Sequence, residues 1–98
     1  MVARLDEGVL VVEGELDHSN VQTMMLVAEA AFPRSSPVVL DLAGLSFIDS
    51  SGIGALVRLR RRGGGSNESL VIRRLHPRVA SRLIRTGLLE FVTVDPEP

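Results

Sequence analysis

The sequence has no cysteine, lysine, tryptophan or tyrosine. Without thiols, disulfides, zinc-thiolate sites, iron-sulfur clusters and cysteine nucleophiles are excluded together, and any chemistry falls to oxygen, imidazole or guanidinium groups. The three phenylalanines are the only aromatics. A hydrophobic core claims them first, which leaves nothing for stacking nucleic-acid bases. No apolar run approaches the roughly 20 residues that span a bilayer, and Met1–Leu5 is not a basic segment leading into an apolar stretch. A cytoplasmic location is the expectation, and neither a membrane nor direct nucleic-acid contact is expected.

The 98 residues suit one hydrophobic core, so a single domain over 1–98 is expected, with 95–98 frayed. At 45% hydrophobic and 23% charged, the composition is that of an ordinary globular chain. The formal net charge is only -1, yet its distribution is uneven. Residues 1–57 hold two arginines against eight carboxylates, and 58–98 hold nine arginines against four. Faces of opposite potential, suited to steering a protein partner, are implied.

Val2–Leu5 and Val9–Val12 are β-prone runs around Asp6-Glu7-Gly8, which predicts a hairpin. Ser19-Asn20-Val21-Gln22 has capping-box spacing, so a helix is expected from there. Val21, Met24, Met25, Ala28 and Phe32 form its buried stripe, and Pro33 ends it. Val38–Leu42 is nearly continuous in apolar residues, as expected of a central strand covered on both faces and parallel to an earlier one. A second helix is expected over Ser51–Arg62, with Ile53, Leu56, Val57 and the stem of Arg60 inward, ending at Gly63-Gly64-Gly65. Ser69–Ile72 reads as a strand. Pro77 opens a helix that buries Val79, Ala80, Leu83 and Ile84 as far as Gly87, and Phe91–Val94 is a last strand. The order ββαβαβαβ predicts an α/β fold with a mixed sheet of four to five strands and about three helices.

The informative segment is Leu45–Gly54, where an acid and two hydroxyls precede a helix. A phosphate on Ser50 or Ser51 would face the helix's first amides and the positive end of its dipole. Gly52 and Gly54 would keep the approach uncrowded. Spacing alone equally allows Asp49, Ser50 or Ser51 to be no more than the helix N-cap.

The element order, with Gly14-Glu15-Leu16-Asp17 after the second strand and Phe47-Ile48-Asp49-Ser50-Ser51-Gly52-Ile53-Gly54, resembles the STAS domain family, in particular its anti-sigma factor antagonists. The resemblance implies a binding module, with no catalytic residues, metal or cofactor. It implies Ser50 as the residue phosphorylated by a partner that is both anti-sigma factor and serine kinase. The unphosphorylated protein would capture that partner and free a sigma factor, phosphorylation would end the capture, and a phosphatase would restore it. Glu15, Asp17, Asp49, Ser51, Gly52, Ile53 and Gly54 are the implied partner-binding residues. The alternative within the family is a scaffold or accessory subunit, in a stress-signalling complex or a lipid-transport system, without regulated phosphorylation.

A hydrolase would need a base beside the serine. His18 and His76 lie in no nucleophile motif, and the segment lacks a Gly-x-Ser-x-Gly elbow. The run Arg58-Leu59-Arg60-Arg61-Arg62 with Arg73-Arg74 is spread around the surface by helical spacing, and it complements a helix C-terminus. Gly63-Gly64-Gly65 lacks the lysine of a phosphate-binding loop.

Overall fold

The computed structural model describes residues 1–95. The first two strands, β1 (Val2–Asp6) and β2 (Val9–Leu16), form the expected antiparallel hairpin, with Glu7 and Gly8 both left-handed in its two-residue turn. Then follow α1 (Val21–Ala31), β3 (Val38–Asp41), β4 (Leu45–Ile48), α2 (Ser50–Arg62), β5 (Leu70–Arg73), α3 (Pro77–Thr86) and β6 (Thr93–Asp95), with single 3-10 turns at Asn67–Ser69 and Leu88–Phe91. The sheet order is β1-β2-β3-β5-β6, with β4 also on β2, and every pairing except β1 with β2 is parallel. The α/β class, the mixed sheet and the three helices are as the sequence predicts.

The strand beyond the expected four to five is β4. Its pairing with β2 continues that of β3, because the offset between partners grows from 30 at Leu10–Leu40 to 32 at Leu16–Ile48. Both extra residues lie on the β3–β4 side, one within Leu42-Ala43-Gly44 and the other Ser46, which is passed over where Gly14 faces Leu45 and Glu15 faces Phe47. Gly14 stands at this break with φ 93. A bulge of this kind bends the strand and re-aims the residues after it, and a glycine accepts the required backbone angle without strain. β3 and β4 thus act as one strand with a jog, which carries the chain beyond the end of β5 toward the start of α2.

The core lies between the helices and one sheet face. Leu10, Leu40 and Ile72, partners across three strands, are fully buried, as are Met24 of α1, Leu59 of α2 and Leu83 of α3. On the opposite face Val39 and Val71 are only half-buried, so the central strand is not covered on both faces as expected. That face also carries Asp41, which is buried by its own partners: Arg74 reaches it with a guanidinium, and the Ala43 N–H donates to it at 3.0 Å.

Several expected inward residues are corrected. In α2 the buried positions are Gly52, Ala55, Leu56 and Leu59, while Val57 is exposed. In α3, Val79 and Leu83 are buried, Ala80 is half-buried and Ile84 is 64% exposed. Ser69 belongs to a 3-10 turn, not to β5, and Phe91 ends another one before β6 begins at Thr93. Gly64 and Gly65 take left-handed angles after α2, whereas Gly63 is right-handed. Asp95 closes β6 opposite Arg73, and the expected fraying of 96–98 lies outside the described residues.

Candidate functional site

Parallel β2 and β4 end at the same level, with Leu16 opposite Ile48 and the Asp49 N–H donating to the Leu16 carbonyl at 3.2 Å. The two chains therefore leave the sheet side by side, one toward α1 and the other into α2. This brings Asp17 and His18 next to Asp49, although 31 residues separate His18 from Asp49 in sequence. The two motifs picked out in the sequence meet here.

Asp49 holds the two loops together. Its Oδ1 accepts the Gly52 N–H at 3.0 Å, which makes it the N-cap of α2, and its Oδ2 accepts the His18 N–H, also at 3.0 Å. The His18 Nδ1 stands 3.6 Å from the same Oδ2. The hydrogen bond from Gly52 is the main reason the Asp49 carboxyl lies below its ordinary range, with partial burial opposing and the His18 amide assisting. The helix starts at Ser50, one residue earlier than expected. A phosphate there would not find all the first amides free, since Asp49 already occupies the Gly52 donor.

The β2–α1 loop is built differently from its expected capping box. The Ser19 N–H and hydroxyl both donate to Asp17 Oδ1, and α1 begins at Val21 with no side-chain cap. A charged acceptor two residues away forms the stronger hydrogen bond and takes the hydroxyl from the Gln22 amide. The Ser19 hydroxyl is also the largest cause holding the Asp17 carboxyl below its usual range. Asn20 completes the loop, donating to the Glu15 carbonyl at 2.8 Å and accepting the Asp17 N–H at 3.0 Å.

Around this frame, Ser50 is exposed and its hydroxyl has no hydrogen bond among the described residues; Ser51 is half-buried. Gly52 faces inward: a Cβ there would stand 2.6 Å from Ile48 Cγ1 and 3.1 Å from Leu16 Cγ. Its absence of a side chain lets the helix start close against both strand ends, rather than clearing an approach from outside. Ile53 is half-buried against the core, and Gly54 is exposed with open space beside it.

Glu15 is exposed and lines a cleft of about 290 Å³ with Ser46, Phe47, Ile48, Arg78 and Arg82. The Arg82 guanidinium lies over the Phe47 ring, 5.0 Å from its centre. Phe47 enters the sequence reading only as part of the family motif, and Arg78 and Arg82 not at all, although i, i+4 arginines on one helix are a readable pattern. Four of the six arginines singled out in 58–62 and 73–74 have internal partners. Arg60 donates to the Phe91 carbonyl, Arg62 to the Glu29 and Phe32 carbonyls, Arg74 pairs with Asp41, and Arg73 is 3.6 Å from Asp95. His76 caps α3, its Nδ1 accepting the Arg78 N–H at 3.1 Å.

Among the described residues no group of three or more His, Asp or Glu side chains could hold a metal ion, and no helix is long and apolar enough to cross a membrane.

A family model described as Mlab, STAS domain matches residues 2–93. The structure of the anti-sigma factor antagonist SpoIIAA in its unphosphorylated form is similar with a TM-score of 0.69, at 18% identity over 99% of this chain and 88% of that one. A Thermotoga maritima structure, described as that of an anti-sigma factor antagonist, is similar with a TM-score of 0.76, at 16% identity over 98% of this chain and 86% of that one. At such identities the two structures establish a shared fold, and the match over nearly the whole length establishes the family. The chain belongs to the STAS domain family.

Proposed function

We propose that this protein is an anti-sigma factor antagonist, a single cytoplasmic domain over 1–98 that acts by binding and not by catalysis. Unphosphorylated, it captures an anti-sigma factor with serine kinase activity and so frees a sigma factor. Phosphorylation at Ser50 ends the capture, and a phosphoserine phosphatase restores it. Asp17, Asp49, Ser51 and Gly54, with Glu15 at the edge, form the docking surface, while Gly52 and Ile53 set the position of the helix start. The observation that carries this reading is an exposed serine hydroxyl with no hydrogen bond among the described residues, held at a helix start beside Asp49 of its own segment and Asp17 of the facing loop. The shared fold with two structures described as anti-sigma factor antagonists supports it.

Phosphoserine adds about -1.5 to -2 charges. Next to Asp17 and Asp49 that charge makes the surface strongly negative, so a partner drawn to the unmodified surface meets a changed field and an added bulk. The test is incubation with candidate anti-sigma kinases and ATP, with the phosphate mapped by mass spectrometry. Label should appear on Ser50 and vanish in Ser50→Ala, which should still bind the kinase. Undiminished labelling of Ser50→Ala would reject the assignment. No labelling by any candidate kinase would favour the scaffold or accessory-subunit role.

A further inference from the structure

A phosphoryl group on Ser50 would enter a place with few donors to spare. The Gly52 amide is occupied by Asp49, and Asp49 and Asp17 both have carboxyl groups held below their ordinary range by hydrogen bonds, so both are anions at neutral pH. Neither α1 nor α2 has an acidic residue in its first turn, and the basic residues of α2, Arg58 and Arg60–Arg62, all sit in its C-terminal half. From the neighbouring cleft, Glu15, Arg78 and Arg82 face the Phe47 side of β4. On the two loops themselves, residues 17–20 and 49–54, the one side chain that can carry a positive charge is His18.

Its geometry suits that part. The backbone of His18 is fixed by the 3.0 Å bond from its N–H to Asp49, the residue preceding Ser50. Its side chain is 84% exposed and hangs 3.6 Å from the Asp49 carboxylate, so it can rotate while its root stays in place. We propose that His18 is the counter-ion of the phosphate on Ser50, its imidazole leaving Asp49 to donate to a phosphoryl oxygen. This rests on Ser50 as the phosphoacceptor and adds a counter-charge to it: an imidazolium paired with the phosphate offsets part of the charge that a partner meets. An opposite charge within about 4–6 Å favours the ionised form of a group, and binding of two protons at coupled sites is reciprocal.

The test needs no kinase. Phosphoserine is installed at position 50 of the full chain by cotranslational incorporation, and the phosphate is titrated by phosphorus NMR from mild acid to mild alkali. The midpoint of its second ionisation should lie about 0.5 pH unit lower with His18 present than in His18→Gln, an effect reduced from that of a buried pair by exposure and salt. The imidazole protons of His18 should move when the phosphate is installed, while those of His76, capping α3, should not. Arg78→Gln and Arg82→Gln should leave the midpoint where it was. Equal midpoints, within about 0.1 pH unit, in the parent and His18→Gln would overturn the proposal. So would a shift that responds to Arg82→Gln and not to His18→Gln, which would place the counter-ion in the cleft. Amide spectra of His18→Gln matching the parent outside the two loops would establish that the variant is folded. A failed kinase assay on the unmodified chain would refute the switch and leave the phosphorus titration to decide the His18 pairing independently.

Discussion

Gly52 and Gly54 lie two residues apart in the same helix, and alanine at the two positions should act with opposite sign. In a helix interior alanine is favoured over glycine by about 0.8–1 kcal/mol, and the first turn retains part of that preference. At Gly54 nothing lies within 4 Å of an added Cβ, so the propensity gain stands alone and Gly54→Ala should stabilise by about 0.5–1 kcal/mol. At Gly52 the new methyl would stand 2.6 Å from Ile48 Cγ1 and 3.1 Å from Leu16 Cγ. Those side chains are 0% and 1% exposed, so neither can swing into solvent, and overpacking of this kind costs about 1–3 kcal/mol. The clash outweighs the propensity, and Gly52→Ala should be net destabilising by about 1–2 kcal/mol. The same push would lengthen the Gly52 to Asp49 hydrogen bond that caps the helix. Thermal unfolding followed by circular dichroism reads the difference directly. For a domain of this size about 1 kcal/mol is about 4–8 °C, so the two variants should lie on either side of the parent and about 10 °C apart. If both moved the melting temperature equally and in the same direction, α2 would not be seated on Ile48 and Leu16 as described.

Asp17→Asn should weaken binding to the anti-sigma partner, measured by titration calorimetry, while the melting temperature moves by no more than a few degrees, since exposed substitutions usually change stability by less than about 0.5 kcal/mol. An unchanged dissociation constant would remove Asp17 from the interface. Asp41→Ala should destabilise by about 1–3 kcal/mol in urea unfolding, because the Ala43 amide and the Arg74 guanidinium lose their shared acceptor; a loss below about 0.5 kcal/mol would mean water replaces the carboxylate without penalty. Stability should hold steady near neutral pH and fall in acid. Asp17, through the Ser19 hydroxyl, and Asp49, through the Gly52 amide, have lowered carboxyl groups, and Asp41 is lowered too because Arg74 and the Ala43 amide outweigh the opposing effect of burial. A carboxyl lowered in the folded state contributes fully above the usual value near 3.8, and that contribution disappears as pH falls through the folded value. Urea midpoints that rise between pH about 5 and 3 would contradict the sign.

The parts of the fold that were legible in the sequence are those with a local cause. The hairpin turn, the methionine stripe of α1 and the Pro77 start of α3 each follow from residues within a few positions of one another. β4 has a non-local cause. Its four residues are too few to show alternation, and its pairing depends on a register break that faces Gly14, far back in the chain. The phase of α2 differs from the expected one because its apolar residues fit two helical stripes. The stripe with Val57 looks the more hydrophobic, but the one through Gly52, Ala55, Leu56 and Leu59 is buried, and its small members carry no hydropathy signal. Close approach selects Gly52, and a sequence does not display closeness.

At the site, each motif was legible within its own loop, but the tie between the loops was not. Ser19 and Gln22 have the spacing of a capping box, and only the competing charge of Asp17 explains why the box does not form. The sequence allows Asp49 to be a helix cap, and the family resemblance makes it a contact for a partner. The structure shows it capping α2 and holding the β2–α1 loop with the same carboxylate. This decides what its substitution can reveal. Removing the Asp49 carboxylate frees the Gly52 amide and releases His18 together, so the positions of Ser50 and Asp17 both loosen, and a loss of binding would not separate contact from placement. Among the described residues Asp17 makes its side-chain hydrogen bonds only within its own loop, to Ser19, so a change there leaves the helix start untouched. Of the two carboxylates beside Ser50, it is Asp17 whose substitution isolates the charge a partner meets.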